Sequence, residues 1–271
     1  MRVRGLNVVV TGASSGIGRA TVQLLAAEGA QVTAVARSSA ALDDLAAESP
    51  RIRPVVADLT VDADRAAVVE QSGAIDVLVN NAGIGWLGAV VDMPAEQVQK
   101  LFAINVLALI DLTQRVLPGM LERRRGHVVN VASVASWVSI PPLTVYSSTK
   151  FAVQGFSDGL RREVARGGVR VTTINPGPVA TRFGARASLA DPLTESMDDT
   201  TMPGVPAPLA ASAVARAIRR GRLPGYTSIA VPRVLGFTRL GALPGIRLLS
   251  DAFAVAFRGA RSSAFRTHRR D

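Results

Sequence analysis

Tyr146 and Lys150 stand four residues apart in a chain with only two tyrosines and two lysines, against 29 arginines. On a helix that spacing puts both side chains on one face, one above the other. A positive charge beside a phenol favours the phenolate and lowers its pKa, so the pair predicts a tyrosine built for proton exchange. Arg is the cation almost everywhere else in the chain, and a Lys at 150 points to a need for a compact point charge. The same two residues also suit an ordinary helix face, with an aromatic stem beside a solvated amine. Ser133 lies thirteen residues before Tyr146, at the expected C-terminal end of a strand. Open α/β sheets bind ligands at such strand ends.

The elements that would position these residues alternate along the chain. Leu6 to Val10 is a short continuous apolar run, the pattern of a strand buried on both faces. It ends in Thr11-Gly12-Ala13-Ser14-Ser15-Gly16-Ile17-Gly18, and an amphipathic helix follows to Glu28, with Gly29 as its C-cap. A strand, a glycine turn and a helix N-terminus together form an anion-binding cradle. The same turn could also be a tight βα connection with no ligand. Strand 31–36, helix 39–48, strand 52–56, Asp58-Leu59, helix 61–71 and strand 76–79 continue the alternation into Asn80-Asn81-Ala82-Gly83. Pro94 starts a long helix to Leu121, in which Asn105 interrupts an apolar stretch and needs a buried partner or a water. Strand 126–132, a helix carrying Tyr146 and Lys150 to Arg166, strand 169–174 and a final strand over Ser228–Val231 complete the pattern. Such alternation predicts a parallel sheet.

Arg37 closes the second strand as Ala36-Arg37-Ser38, with no carboxylate in reach. In dinucleotide folds this position faces the adenosine ribose, where an acid suits the 2′-hydroxyl and an Arg suits a 2′-phosphate. The residue choice favours NADP over NAD. A solvated surface Arg is the alternative.

Taken together, these motifs resemble the single-domain branch of the short-chain dehydrogenase/reductase superfamily over residues 5–182, in family order and spacing. The motifs are Thr11 to Gly18, Asn80 to Gly83, Asn105-Val106, Ser133, Tyr146-x-x-x-Lys150 and Pro176-Gly177-x-Val179-x-Thr181. The resemblance implies an α/β, Rossmann-type doubly wound parallel sheet of about seven strands in the order 3-2-1-4-5-6-7, in one domain. It implies Tyr146 as general acid in carbonyl reduction and base in alcohol oxidation. Lys150 would donate to the nicotinamide ribose, and Ser133 would hydrogen-bond the substrate oxygen. Asn105 would hold a water linking Lys150 to solvent. Gly12, Ser14, Ser15, Gly16, Ile17 and Gly18 would cradle the cofactor's phosphates, Asp58 and Leu59 would flank adenine, and Asn81, Ala82 and Gly83 would run along the ribose. Val179 and Thr181 would lie near the carboxamide, with Pro176 and Gly177 also among the cofactor-binding residues. It also implies a homodimer or homotetramer built on the helices at 94–121 and 146–166.

Composition narrows the rest. The chain has 271 residues, 48% of them hydrophobic, enough for one large domain. With no cysteine and only His127 and His268, disulfides and Cys-ligated metals are excluded and a His metal site is not expected. The composition reads as an intracellular, cytoplasmic protein without a metal. No membrane span is expected, since the longest uncharged stretch, 126–149, is broken by Asn130, serines and Pro141-Pro142.

The net charge of +10 is unevenly placed. Residues 1–215 hold 19 Lys+Arg against 19 Asp+Glu, and 12 further Arg follow with only Asp251 and Asp271 against them. Residues 1–231 are therefore read as the cofactor-binding and catalytic domain, with 184–220 as a lid region, and 232–271 as a basic extension. In the extension Ile246, Leu249, Phe253 and Phe257 share one helical face, flanked by Arg239, Arg247, Arg258 and Arg261. That pattern suits a helix packed on its own domain or a subunit, or one lying on the anionic inner face of a membrane through 239–261. No aromatic–basic stacking platform is present, so nucleic acid is not an expected partner.

Trp86, Trp137 and Phe183 flank the catalytic motifs in a chain with 12 aromatics, which suggests a hydrophobic substrate such as a sterol, a retinoid-like lipid or a long-chain acyl derivative. Core packing explains each of them equally well. The leading reading is an NADP-dependent oxidoreductase interconverting a carbonyl and a secondary alcohol. The alternatives are a 3-oxoacyl thioester reductase and a non-catalytic cofactor-binding sensor or membrane-surface scaffold.

Overall fold

A computed structural model describes residues 2–139, 141–180, 188–189, 204–220 and 228–232. Seven strands form its sheet: β1 Asn7–Thr11, β2 Gln31–Ala36, β3 Ile52–Val56, β4 Val77–Asn80, β5 Gly126–Val131, β6 Val169–Pro176 and β7 Ser228–Val231. Their spatial order is 3-2-1-4-5-6-7 and every pairing is parallel. The order runs outward in both directions from the β1/β4 pair, so the chain reverses there and the two following loops part to leave a crevice. The helices are α1 Gly16–Ala27, α2 Ser39–Ala47, α3 Asp62–Ser72, α4 Ala95–Phe102, α5 Ala108–Glu122, α6 Thr144–Glu163 and α7 Ala207–Arg220.

The side-chain period of two explains why continuous Val runs became strands. Val8 and Val10 enter the core cluster shared with α1, α2 and α7, while Val9 enters the one shared with α3, α5 and α6. Both faces of the sheet are covered, so neither register of polar alternation was required. Leu25, Leu42 and Ile218 seal one side and Leu112 and Met120 the other, each with 1% exposure or less. Truncating any of these to Ala would cost about 2–5 kcal/mol.

Two expectations change. The helix predicted over 94–121 is interrupted by a π-helical turn at Ala103–Leu107, with Asn105 at its centre. Inserting one residue into the helical ladder re-aims that side chain, a device found often at functional sites. The continuous run Ala95–Glu122 is also long and apolar enough to cross a membrane by length and composition. Leu101, Leu109, Leu112, Val116 and Met120 are buried within the protein, so this apolar character serves packing on the sheet. Second, 207–220 falls in the stretch expected to cover the substrate, but α7 buries Ala210, Ala211, Val214, Ala215 and Ile218 and belongs to the helical layer beside α1. The remaining lid residues, except 188–189 and 204–206, and the extension beyond Pro232 lie outside the described residues.

Candidate active site

The C-terminal ends of β1, β4, β5 and β6 converge on one crevice. Thr11, the last residue of β1, holds it together: its hydroxyl accepts from the Asn81 and Ala82 backbone N–H groups, both at 3.0 Å. The Asn81 amide in turn donates to the carbonyls of Thr11 at 2.9 Å and Gly12 at 3.3 Å. The loop after β4 is thereby locked over the glycine turn after β1. That closeness is what the glycines permit. Gly12 has φ 68°, and a Cβ there would meet Ala82 Cα and Asn81 Nδ2, each at 2.9 Å. A Cβ on Gly18 would run into the Gly12 carbonyl oxygen. Ser15 enters α1 in an extended conformation, with Gly16, Ile17 and Gly18 forming the first turn behind Ser14. The first N–H groups of α1 thus follow a turn that has no room for a Cβ at Gly12 or Gly18, a cradle matched to a phosphate.

Arg37 follows β2 and is exposed; Asp58 follows β3 on the neighbouring strand. The backbone N–H and hydroxyl of Thr60 donate to Asp58 Oδ1 at 2.9 and 2.7 Å. These bonds hold the carboxyl below its usual range despite partial burial, with Arg37 and Lys100 assisting through charge. Leu59, adjacent, is 6% exposed.

On the other side of β4 stands the polar cluster. Ser133 leaves β5 in an extended conformation; its Oγ accepts from Ala135 N–H at 3.1 Å and donates to the Pro176 carbonyl at 3.4 Å. Tyr146, in the first turn of α6, is 8% exposed, and its hydroxyl is hydrogen-bonded to the Ser133 side chain. Lys150 Nζ lies 5.6 Å from the Tyr146 ring centroid and donates to the Val131 carbonyl at 3.2 Å. The i, i+4 spacing thus does place both groups on one helix face, aimed at one strand end.

The electrostatics differ from the simple expectation of an acidified phenol. Burial pushes Tyr146 up to about 12, opposed by the Ser133 hydrogen bond, and the same burial brings Lys150 down to about 8. Desolvation penalises both charged forms, and here it outweighs any help the ammonium gives the phenolate. The pair is therefore a neutral phenol beside an amine that titrates near neutrality, with the proton on Tyr146.

Asn105 has the buried partner its position demanded. Its Oδ1 accepts from Ile84 N–H at 2.9 Å, and its Nδ2 donates to the Ile84 carbonyl at 3.0 Å and to Thr149 Oγ1 at 3.1 Å. Thr149 passes its own proton to the Tyr146 carbonyl at 2.7 Å. The Asn105 amide nitrogen is thus committed to protein partners. It fastens the loop after β4 to the helix carrying Tyr146. A Cβ on Gly83 would stand 3.2 Å from Asn105 Oδ1 and 3.6 Å from Lys150 Nζ, so this glycine lets the amine approach the loop. Thr11 and Thr149 were absent from the sequence-derived site. Their signal was weak: a hydroxyl at a strand end, and a Thr immediately before the Lys.

Of the four cofactor-binding residues expected after strand 169–174, Pro176 and Gly177 are buried at the end of β6, with Gly177 N–H on the Val231 carbonyl at 2.9 Å. Val179 pairs with Val205 in a two-residue bridge, and Thr181 lies outside the described residues, as does Phe183. Trp86 joins Tyr146, Leu101 and Ala135 in one apolar cluster beside the phenol; Trp137 is buried outside that cluster. Of the two expected aromatics among the described residues, the structure thus brings Trp86 to Tyr146. Among the described residues no group of three or more His, Asp or Glu could hold a metal ion.

Known proteins resemble this chain in sequence and in fold. A family profile described as short chain dehydrogenase matches residues 6–191. A mouse protein named dehydrogenase/reductase SDR family member 7B is 36% identical over 201 residues, which cover 70% of this chain and 62% of the relative. The chain thus spans less than two thirds of that relative's length. A solved short-chain dehydrogenase from Sphingobium yanoikuyae, in complex with NADPH, superposes with a TM-score of 0.74 at 29% identity, covering 97% of this chain and 98% of the other. A 3-ketoacyl-(acyl-carrier-protein) reductase from Brucella melitensis, complexed with NADH, gives 0.75 at 26% identity, covering 85% of this chain and 99% of the other. The matched span takes in the glycine turn and the Ser133, Tyr146 and Lys150 cluster alike, and the chain belongs to the short-chain dehydrogenase/reductase superfamily.

Proposed function

We propose that this protein is an oxidoreductase that interconverts a carbonyl and a secondary alcohol on a hydrophobic small molecule, with NADP(H) as cofactor. The observation that carries the reading is the convergence of Ser133, Tyr146 and Lys150 on the β5 end, across from a glycine turn whose Gly12 and Gly18 leave no room for a Cβ. The cofactor, when bound, supplies or accepts the hydride at the substrate carbon. Everything else is done by the chain. The first turn of α1 binds the phosphates through backbone N–H groups. Arg37 supports a 2′-phosphate, the basis for preferring NADP. Asp58 and Leu59 flank adenine, Asn81 to Gly83 line the ribose, Val179 and Thr181 the carboxamide, and Pro176 and Gly177 belong to the same cofactor site.

Tyr146 donates its proton to the developing alkoxide, and Ser133 hydrogen-bonds the same oxygen. A phenol held neutral by burial is already in the donor state, which suits reduction near neutral pH. Lys150 places its ammonium beside the emerging phenolate and lowers the cost of releasing that proton. Asn105 keeps α6 and the loop after β4 in register, and its Oδ1, which accepts one hydrogen bond from the protein, retains a lone pair for a water leading to Lys150. Trp86 supplies an apolar wall beside Tyr146, consistent with a hydrophobic substrate.

Two further features belong to this reading. Leu107, the last residue of the π-turn before α5, and Phe151 on α6 expose 60% and 43% of their surface, apolar positions suited to a homodimer contact. Residues 232–271 form a basic extension beyond the catalytic domain, available for anionic surfaces or for packing on a subunit. The second enzymatic reading, a 3-oxoacyl thioester reductase, rests on the likeness to the Brucella enzyme.

The deciding experiment follows NADPH oxidation against hydrophobic ketones, aldehydes and a 3-oxoacyl thioester, with Tyr146→Phe in parallel. Loss of one proton donor should lower kcat/KM by about 10²–10⁴ while NADPH still binds. Turnover that survives in Tyr146→Phe would remove this residue from the chemistry. NADPH binding with no turnover on any compound would favour a cofactor-binding sensor instead.

A further inference from the structure

The turn after β3 is held from behind by an ionic lattice that the reaction itself does not use. Asp58 N–H donates to Asp64 Oδ2 at 2.7 Å, and the Leu59 carbonyl accepts from Arg65 Nη1 at 2.9 Å. Two consecutive residues at the start of α3 therefore hold two consecutive peptide units of the turn. Arg65 then spends its remaining donors elsewhere: Nη2 on Asp62 at 3.0 Å and Nε on Asp111 Oδ2 at 2.7 Å. Asp111 belongs to α5, and Arg115 from the same helix also engages it, through Nε at 2.7 Å and Nη2 at 3.2 Å. Arg115 reaches back to Asp62, closing a ring of two arginines and two aspartates between α3 and α5.

Isolated surface ion pairs contribute little, but this one is different in geometry. The Arg65 side chain is only 14% exposed and meets three acceptors at once, the use for which a planar guanidinium is suited and an ammonium is not. One of the three is a backbone carbonyl in the wall of the nucleotide crevice. Asp111 lies on the helix that follows the π-turn at Asn105, so the crevice wall and the proton-handling cluster share one anchor.

We infer that Arg65, clamped by Asp111, is a positioning residue for the adenine end of the cofactor site: it fixes the Leu59 carbonyl and with it the orientation of Asp58. This inference rests on the proposed nucleotide reading of the crevice. Both protein donors to Asp58 go to Oδ1, which leaves Oδ2 its full acceptor capacity for an exocyclic amine. Without Arg65 the Leu59 carbonyl must turn to solvent, and the turn loses the strut that aims the carboxylate.

The test titrates full-length parent, Arg65→Ala and Arg65→Lys with NADPH and with reduced nicotinamide mononucleotide, which lacks the adenine half, following nicotinamide fluorescence. Arg65→Ala should raise the Kd for NADPH about tenfold, the scale of one lost charge-assisted hydrogen bond, and leave the mononucleotide Kd unchanged. Arg65→Lys, which can satisfy one acceptor at a time, should recover part of the loss. Should Arg65→Ala fail to fold, Asp111→Asn keeps the packing, releases the clamp and should show the same selective weakening. A dinucleotide Kd within twofold of the parent, or equal weakening of both ligands, overturns the inference. A parent chain that binds neither ligand overturns the underlying nucleotide reading instead.

Discussion

Replacing Lys150 with Met takes a buried ammonium out of the active crevice and leaves a side chain of similar length. The fold holds Lys150 at about 8 against an ordinary 10.5, with burial as the cause. A buried base whose folded pKa lies below its unfolded value makes the folded state less stable wherever the unfolded chain is protonated and the folded one resists protonation. The unfolded chain binds more protons between the two values, so stability rises with pH across that window, from about 8 to about 10.5. The full difference corresponds to about 3 kcal/mol at pH 7, of which about 1.4 kcal/mol remains at pH 9.5. The parent should therefore gain about 2 kcal/mol relative to Lys150→Met between those pH values, since the other titrating groups cancel in the comparison. Urea denaturation of both chains at pH 7.0 and 9.5 measures this directly. The variant should also be at least as stable as the parent at pH 7, though it strands the Val131 carbonyl, and it should lose turnover. A stability difference that stays the same, within about 0.5 kcal/mol, at the two pH values would refute the argument that desolvation dominates this amine.

Three further outcomes follow from the same geometry. Arg37→Ser removes the cation at the β2 end and should shift the NADPH-to-NADH ratio of kcat/KM by about 10- to 100-fold, since a hydrogen bond to a charged group carries that scale; an unchanged ratio would mean that Arg37 is merely solvated. Leu107→Glu with Phe151→Glu places charges on two exposed apolar positions and should reduce the mass seen by light scattering; an unaltered mass would exclude this face from the assembly. Initial rates of ketone reduction by the parent should hold from pH 6 to 7 and fall as pH passes about 8, where Lys150 gives up the ammonium that supports the emerging phenolate while Tyr146, pushed up to about 12, stays protonated; rates that stay level to pH 10 would contradict the role given to Lys150.

Local pattern was enough for much of this protein. Short continuous Val-rich runs, a period of 3.6 in the helices and glycines between them specify which segments become strands, because both faces of a parallel sheet must be apolar. The four-residue step from Tyr146 to Lys150 was likewise legible, since helical geometry alone puts them on one face. What local pattern could not contain was anything decided by desolvation or by distant partners. The direction of the Tyr146 shift depended on how deeply α6 sinks against β5, and burial there outweighs the neighbouring ammonium. The π-turn around Asn105 answers to Ile84 and Thr149, which lie 21 and 44 residues away. Nothing near Arg65 in the sequence points to Asp111, which α5 brings to it across 46 residues. Trp86 and Trp137 were equivalent as letters, and only the packing of the loop after β4 set one of them against Tyr146. Sequence by itself determined the elements and the reactive residue types, because these are properties of neighbours along the chain. Tertiary structure alone decided which proton is held and what holds each reactive group in place, because a charge in a low-dielectric interior responds to every group packed around it.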